Sequence, residues 1–586
     1  MDDISDIRTI AQVLPHHTAR TPHRTAVQYL DGEDTLRSLT YAGLEEAVTR
    51  FAAVLNDRGA RPGRTVAILM PNSVRWLVAY FAVFRAGAIA VPLEDGMLET
   101  DPDRLRYAIR HSEAHLVICA PDDLEAVRSM TDAPVVSACE RTDAAPPDRP
   151  DFAPSDLAQI LYTSGTTGPK KGVELTHHNL IFDIEGSCRR FGVRPDDCLP
   201  ALLPYHHAYP LTTTVILPLY AGATMAAGDI RDRRSRELMR RVRPTVFVGV
   251  PRVFEAILDS VRSSAERGGR LEQFERARRL AAAIKDWTAL NVGKLLFRQL
   301  HTRLFGGLQL RFAVSGGARI SPRIIRELFV LGIPLLQGWG MSELSPVGTV
   351  QRFSRWRFYF TRYYERKAGS IGTPLVGTQI EFTQSSVEEL SFDLEHWGEM
   401  LVRGPHVMRG YHKDPHRTAQ QMSGDALRTG DIARRDADGD LYIVGRVKHV
   451  IVLPSGKKVF PEDELEEPLA DCATIREFAV RPISGPEDEE KIGVIVRPEM
   501  EQLSELRNVG ELYAAIKRDI DAALAGRATY LKQYDFCLTA WDEERGEYEE
   551  LLKTAMGDPS PLRNPFSPER AYSRLKTSRE PVPWRR

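Results

Sequence analysis

The stretch LYTSGTTGPKKGVELTHHNL, residues 161–180, passes from an apolar start to a run of hydroxyl groups, glycines and lysines. Leu157 to Thr163 has the composition of a strand. The residues that follow it are Ser164, Gly165, Thr166, Thr167 and Gly168, and then Lys170 and Lys171 after one proline. Glycines let the backbone approach a ligand, while amides, hydroxyls and ammonium groups donate toward negative charge. The stretch therefore predicts a loop that binds a polyphosphate, with a surface linker as the alternative.

The surrounding sequence alternates between two periodic patterns. Apolar residues recur at helical spacing over 41–59 and 74–87, and compact apolar runs over 65–70 and 88–93 predict strands. This order predicts the α/β fold class, a sheet with helices on its faces. The loop itself is not of the Walker type, because its glycines and lysines lack the G-x-x-x-x-G-K-[ST] spacing.

The amino-acid composition does not indicate any particular class of binding partner. The 586 residues carry 78 basic and 80 acidic side chains, a net charge of −2, so no global field draws the chain to nucleic acid, and a charged small-molecule substrate must be met locally. The six cysteines show no CxxC or metal-ligand spacing, which favours a reducing cytoplasm. There is no apolar run of about 18 residues or more, so no transmembrane segment is predicted.

The loop resembles the phosphate loop of the adenylate-forming superfamily, T-S-G-T-T-G-x-P-K-G, with Lys170 where proline is usual. Four later segments, 202–211, 337–346, 429–431 and 445–466, are also similar to signatures of that superfamily, in the same order. The resemblance implies a large N-terminal adenylate-forming domain over 1–446, with two α/β subdomains and a distorted barrel. It also implies a small, mobile α+β C-terminal domain over 447–586, which swings about a hinge at Lys448.

The resemblance implies ATP and Mg²⁺ as ligands. Trp339 would lie against adenine, Asp431 would accept hydrogen bonds from the ribose hydroxyls, and Arg446 would approach the ribose and phosphates. Glu343 and Thr166 would hold the metal. The implied nucleotide-binding residues are Thr163, Ser164, Gly165, Thr166, Thr167, Gly168, Lys171, Gly316, Gly317, Ala318, Gly338, Trp339, Gly340, Met341, Ser342, Asp431, Ile443 and Arg446. The implied catalytic residues are Thr166, Lys171, His207 and Glu343. The implied substrate residues are His206, His207, Tyr209 and Gly338.

Three segments, 248–257, 261–305 and 310–321, look like the long-chain acyl-CoA synthetases. This branch implies a fatty or aromatic carboxylic acid that is activated as its adenylate with release of pyrophosphate. The acceptor that follows, CoA or a carrier-protein arm, is left open. Fold resemblance alone does not identify the acid, because one scaffold serves many chemistries.

The carboxyl-terminal region departs from the superfamily. A motif like L-P-K-T-x-x-G-K is usual there, with a final lysine that bridges the acid and the α-phosphate. This chain has Asp558 at that lysine's place, and the run 542–550 ahead of it is acidic. Either another cation such as Lys553 or Lys576 substitutes, or the domain is oriented differently, or the reaction needs no bridge. The last option has one concrete form, an ATP-dependent diazotase that activates nitrite for an aromatic amine. A nucleotide-binding pseudoenzyme is a second, separate alternative.

Residues 352–367 interleave arginines with aromatic side chains. This pattern is consistent with a cover over the substrate entrance, with contact to a membrane surface or an anionic partner, or with a packed hairpin whose arginines face water.

Overall fold

The computed structural model describes residues 4–163, 171–384, 396–455, 457–470, 472–484, 490–499, 509–528, 531 and 534–538. Helices and strands alternate along most of this length, as the periodic patterns predict. Thr40 and Ser73 each begin one of the predicted helices by accepting a backbone N–H three residues ahead. These helices end at Asp57 and Arg85, two residues earlier than predicted, because the chain turns toward the positive-φ glycines Gly59 and Gly87.

The first part of the chain forms six helices and seven strands. Their bounds are α1 Val13–Arg20, β1 Thr25–Leu30, β2 Leu36–Thr40, α2 Tyr41–Asp57, β3 Thr65–Leu69, α3 Val74–Arg85, β4 Ile89–Leu93, α4 Met97–Thr100, α5 Pro102–His111, β5 Leu116–Cys119, α6 Leu124–Arg128, β6 Val135–Ser137 and β7 Leu157–Thr163.

The middle part adds further helices and strands. Its elements are β8 Lys171–Thr176, α7 His177–Phe191, β9 Cys198–Ala201, α8 Ala208–Pro210, α9 Leu217–Tyr220, β10 Thr224–Ala227, α10 Ser235–Val242, β11 Val246–Gly249, α11 Pro251–Arg267, α12 Leu271–Thr288, α13 Gly293–Leu296, α14 Arg298–Phe305, β12 Phe312–Ser315, α15 Pro322–Val330, β13 Leu335–Gly340, β14 Val347–Val350, α16 Arg355–Phe360, α17 Tyr363–Arg366 and β15 Thr373–Pro374.

The last part is richer in short strands. It contains β16 Gln379–Thr383, β17 Trp397–Arg403, β18 Gly410–Tyr411, α18 Pro415–Gln421, β19 Met422–Ser423, β20 Ala426–Arg435, β21 Leu441–Arg446, β22 Ile451–Val452, β23 Lys458–Val459, α19 Pro461–Glu464, α20 Glu466–Ala470, β24 Ile475–Ser484, β25 Glu490–Pro498, α21 Val509–Ala523 and β26 Tyr534–Leu538.

Two sheets position the candidate site. The first is seven-stranded, in the order β18-β8-β7-β4-β3-β5-β6, and its central strands β3 and β4 are buried along their whole length, as expected for parallel strands covered on both faces. The second has the order β11-β12-β13-β14-β15, in which β11, β12 and β13 are parallel. The carboxyl ends of these parallel strands form an edge of the kind at which α/β proteins place ligands.

The strands β16, β17, β19, β20 and β21 form an antiparallel sheet. A separate apolar cluster begins after it, running from Ile451 to Leu531 and including the sheet β24-β25-β26. The domain boundary near Val447 and the mobility of the second domain stay predictions. None of the helices in the described ranges is both long and apolar enough to cross a membrane.

Candidate active site

A cavity of about 210 Å³ lies where β12 and β13 end. The predicted site residues that line it are Thr163, His206, His207, Tyr209, Gly316, Gly317, Gly338, Trp339, Gly340, Met341 and Ser342. Apolar side chains close other parts of the wall, among them Phe191, Val314 and Val350. Segments that are far apart in sequence therefore meet around one space.

Glycines keep the backbone close to this cavity. A Cβ atom on Gly316 would lie 2.7 Å from the ring of Tyr209, and one on Gly340 would lie 1.8 Å from the carbonyl oxygen of Pro346. Neither distance is compatible with a side chain, so the fold requires glycine at both positions. Because these two residues have no side chain, their backbone lies directly at the cavity, where a ligand can contact it.

Trp339, Asp431 and Arg446 form one connected group. The Trp339 indole Nε1 donates to Oδ2 of Asp431 at 2.8 Å, and Arg446 Nε donates to Oδ1 at 2.7 Å. Asp431 is only 4% exposed, and burial raises the pKa of its carboxyl while Arg446 opposes that shift. One side of the indole lies on Gly348, where a Cβ would approach the ring to 2.7 Å. The group thus fixes Trp339, which lines the cavity, and holds a two-oxygen acceptor against its indole N–H.

Glu343 lies in the turn Ser342–Leu344 and is buried. Its Oε1 accepts a hydrogen bond of 2.7 Å from the hydroxyl of Tyr411, and the ammonium of Lys171 lies 4.9 Å from the centre of the Tyr411 ring. Burial, and after it the Glu343 carboxylate, raises the pKa of Tyr411 well above its ordinary value, so the phenol stays a donor. Tyr411 therefore contacts both Glu343 and Lys171, two of the predicted catalytic residues.

Sequence reasoning missed Tyr411. It reaches the site because β18 pairs antiparallel with β8, which begins at Lys171. That pairing joins positions more than 200 residues apart, and no local motif around Tyr411 indicates it. The only signal is its place in a short Gly-Tyr pair, which is common in loops.

His206 and His207 lie on the turn before α8, with ring centroids 4.2 Å apart. Asn72 holds this turn from the neighbouring sheet, since its Nδ2 donates to the carbonyl of Leu203 at 2.8 Å and its Oδ1 accepts from the backbone N–H of Tyr205 at 3.0 Å. The Tyr205 ring is fully buried against Trp76. Asn72 is a second site-supporting residue that sequence reasoning missed.

The remaining predicted residues are placed as follows. Ser164, Gly165, Thr166, Thr167, Gly168 and Lys170 lie outside the described residues, as do Lys553, Asp558 and Lys576. The two ends of the phosphate loop are described, because Thr163 and Lys171 face each other in the β7–β8 ladder. Ala318 is exposed and Ile443 packs on the main core. The described predicted residues that do not line the cavity are Lys171, Ala318, Glu343, Asp431, Ile443 and Arg446.

Residues 352–367 are not a hairpin. They form the two short helices α16 and α17, and the Ser354 side chain accepts the backbone N–H of Arg357 at the start of α16. The hairpin interpretation was wrong because it weighed alternating residue types and overlooked this N-cap. Phe358 and Tyr364 are the buried residues of the pair, and most of the arginines face water.

The described residues supply only part of the ligand set of a divalent cation. Within the described ranges, no three His, Cys, Asp or Glu side chains converge on a metal position. A single buried carboxylate, Glu343, is the donor set that Mg²⁺ uses when phosphate oxygens and waters complete its shell. The site therefore fits a metal that arrives with a triphosphate.

Residues 14–412 match the family described as AMP-binding enzyme. The chain belongs to this family. The AMP-binding match includes the loop at 163–171, the turn of Glu343 and Tyr411. The protein is accordingly an ATP-using, adenylate-forming ligase of the acyl-CoA synthetase-like branch.

Relatives of this AMP-binding enzyme act on acids of different kinds. It is 28% identical over 472 residues to feruloyl-CoA synthase of an Amycolatopsis species, covering 80% of this chain and 84% of that protein. It is 27% identical over 474 residues to peroxisomal long chain acyl-CoA synthetase 7 of Arabidopsis thaliana, covering 74% and 65%.

Solved structures of the Bacillus subtilis o-succinylbenzoate CoA synthetase share the fold. The complex with the acyl-adenylate intermediate has a TM-score of 0.70 at 20% identity and covers 93% of this chain and 98% of that one. The complex with ATP and magnesium has a TM-score of 0.68 at 21% identity and covers 90% and 95%.

Proposed function

We propose that this ligase activates a fatty or aromatic carboxylic acid as its adenylate and then transfers the acyl group to CoA. The observation that carries the proposal is the cavity in which Trp339, held through its indole N–H by Asp431, faces an apolar wall that includes Phe191 and Val314. A nucleoside fits the first part and an apolar acyl chain or aryl ring fits the second. The names of the relatives, which pair CoA with a feruloyl, a long-chain acyl or a succinylbenzoyl group, support the same class of substrate.

In the first half-reaction, the acid and ATP react by in-line displacement at the α-phosphorus. A carboxylate oxygen attacks the α-phosphorus of ATP, the new P–O bond forms, and the bond to the bridging oxygen breaks as pyrophosphate leaves. Trp339 and Asp431 hold the nucleoside, and His206 and His207 position the acid at the other end of the cavity. Glu343, together with Thr166, would hold Mg²⁺, which when bound neutralises charge on the triphosphate. Lys171, at the end of the phosphate loop, adds a cation.

The second half-reaction transfers the acyl group to the thiol of CoA and forms a thioester. The CoA sulfur attacks the acyl carbonyl, the C–S bond forms, and the C–O bond to AMP breaks. We propose that residues 447–586 move about Lys448 between these steps. The cation that replaces the usual lysine at Asp558 then comes from elsewhere in this region, with Lys553 and Lys576 as the candidates.

The test is a panel of acids assayed for pyrophosphate release with ATP and Mg²⁺. We expect release that depends on the acid, followed by a CoA-dependent thioester in the same sample. Release only when nitrite and an aryl amine are both present would identify a diazotase and overturn the proposal. ATP binding with no release under either condition would identify a pseudoenzyme and also overturn it.

Asn72 offers a test of how the acid is positioned. Replacing it with alanine removes the hydrogen bonds to Leu203 and Tyr205 and frees the turn that carries His206 and His207. We expect kcat/KM for the acid to fall about 30-fold, with KM for ATP unchanged, since two lost hydrogen bonds at roughly 1 kcal/mol each sum to about 2 kcal/mol. The control is Asn56→Ala, which removes a surface contact to Arg61. Equal losses for acid and ATP would point to general destabilisation and contradict this role.

A further inference from the structure

Exposed apolar side chains are concentrated in two segments of the fold. Nine large hydrophobic residues are exposed within the described ranges, and seven of them fall in 271–305 and 352–367. These seven are Leu280, Trp287, Leu290, Leu295, Leu296, Trp356 and Phe360. Trp287 is 92% exposed and Trp356 is 65% exposed, values at which an indole contributes almost nothing to the core. We call the outer surface of these two segments the Trp287 face.

The two segments are held together. The Lys285 ammonium, near the end of α12, donates to the carbonyl oxygens of Phe358 and Thr361 at 2.8 Å each. The backbone N–H of Asn291 donates to the carbonyl of Tyr359 at 2.9 Å. On their inner side the same elements contribute Ala281, Phe297 and Phe358 to buried clusters. The exposed indoles and leucines are therefore the outside of a packed unit.

The Trp287 face is strongly basic. Residues 271–305 and 352–367 contain thirteen Arg and Lys against four Asp and Glu, a net charge of +9 in a chain whose total is −2. Some of these cations are paired within the fold, as Arg276 is with Glu272. The exposed arginines of these segments that have no ion pair among the described residues are Arg279, Arg298, Arg303, Arg352, Arg355, Arg357, Arg362 and Arg366. Lys285 and Lys367 are buried and paired with carboxylates, so the free charge of the face comes from these arginines.

We propose that the Trp287 face docks on an anionic lipid bilayer. Tryptophan is favoured at the boundary between headgroups and acyl chains, and leucine or phenylalanine beside it adds apolar area that leaves water. Arginine next to that area meets lipid phosphates, and each basic side chain near such a surface strengthens binding about fivefold. Exposed large apolar groups that share two packed segments with unpaired arginines match this surface better than they match water. The docking does not depend on which acid the ligase activates.

Vesicle co-sedimentation of the full chain tests the proposal. We expect binding to vesicles of phosphatidylcholine with phosphatidylglycerol, and binding at least tenfold weaker to phosphatidylcholine alone. Added salt should weaken the binding because surface charges are screened within roughly 8 Å at physiological ionic strength. Tryptophan fluorescence should shift to the blue when anionic vesicles are added, since the exposed indoles leave water.

Two sets of variants locate the surface. One combines Trp287→Ser, Trp356→Ser and Phe360→Ser, and the other combines Arg355→Gln, Arg362→Gln and Arg366→Gln. The arginine set should lower the partition constant about a hundredfold, which is three fivefold losses combined, and the apolar set by at least tenfold. The matched control combines Arg64→Gln, Arg110→Gln and Arg141→Gln, which are exposed arginines outside both segments, and it should bind as the unmodified chain does. Urea midpoints show whether each variant is folded.

Several results would overturn the proposal. Failure of the unmodified chain to bind anionic vesicles at low salt is one, and equal binding to neutral vesicles is another. Variants of the face that bind like the control set would place the contact elsewhere. Self-association that both variant sets abolish, without vesicle binding, would show that a second copy of the chain covers the face.

Discussion

Replacing Glu343 with glutamine is expected to lower the rate of adenylate formation about a thousandfold, equal to ~4 kcal/mol of transition-state stabilisation. Glu343 is a buried carboxylate directly after Ser342, which lines the cavity, and Tyr411 donates to its Oε1 at 2.7 Å. Glutamine keeps the shape of the side chain and removes the charge that we propose binds Mg²⁺. The effect is measured as kcat/KM for pyrophosphate release at saturating ATP, and as the Mg²⁺ concentration that gives half-maximal rate.

Two further variants distinguish the charge of Glu343 from the hydrogen bond by which Tyr411 orients it. Tyr411→Phe keeps the carboxylate and removes only the hydroxyl that orients it, so we expect a loss of 10- to 100-fold, the range typical of residues that orient a metal ligand. Glu46→Gln removes an exposed glutamate paired with Arg50 and should leave the rate unchanged. A Glu343→Gln variant with normal rate and normal Mg²⁺ dependence would contradict the assigned role.

Replacing Asp431 with asparagine is expected to raise KM for ATP about 30-fold while leaving KM for the acid nearly unchanged. The buried carboxylate binds Trp339 at one oxygen and Arg446 at the other. Asparagine offers one acceptor oxygen and no charge, so both the ribose contact and the ion pair weaken, at a cost of roughly 2 kcal/mol. ATP titration by calorimetry, beside steady-state kinetics, measures the loss as binding.

Trp339→Phe is the matched comparison for this prediction. It keeps an aromatic face for adenine and removes only the indole N–H that donates to Asp431, so KM for ATP should stay within about threefold. If Asp431→Asn raised KM for the acid and left ATP binding intact, Asp431 would not contact the nucleotide and the proposed orientation of the substrates would be reversed.

The sequence predicted the parts of the site that are local. The strand ending at Thr163, the glycines around Trp339 and the carboxylate of Glu343 can be read from short segments, because a turn and its neighbouring strand determine their geometry. The helical positions of α2 and α3 also follow from spacing and from caps at Thr40 and Ser73.

The parts that sequence reasoning missed depend on distant pairing. Tyr411 reaches Glu343 across 68 positions of sequence, and Asn72 reaches Tyr205 across 133. Only the strand order of the sheets brings these residues together, and no local spacing encodes that order. The helices at 355–366 were missed for a different reason, since aromatic and basic residues favour no single period and the cap at Ser354 decides the local structure.

The most direct measurement of the central claim follows an oxygen atom. When an acid whose carboxylate carries a heavy oxygen isotope is supplied with ATP, Mg²⁺ and CoA, the attacking oxygen should remain on the phosphorus. We expect the released AMP to contain one heavy oxygen and the pyrophosphate to contain none. Unlabelled AMP, or label in phosphate that forms without any acyl product, would contradict the account.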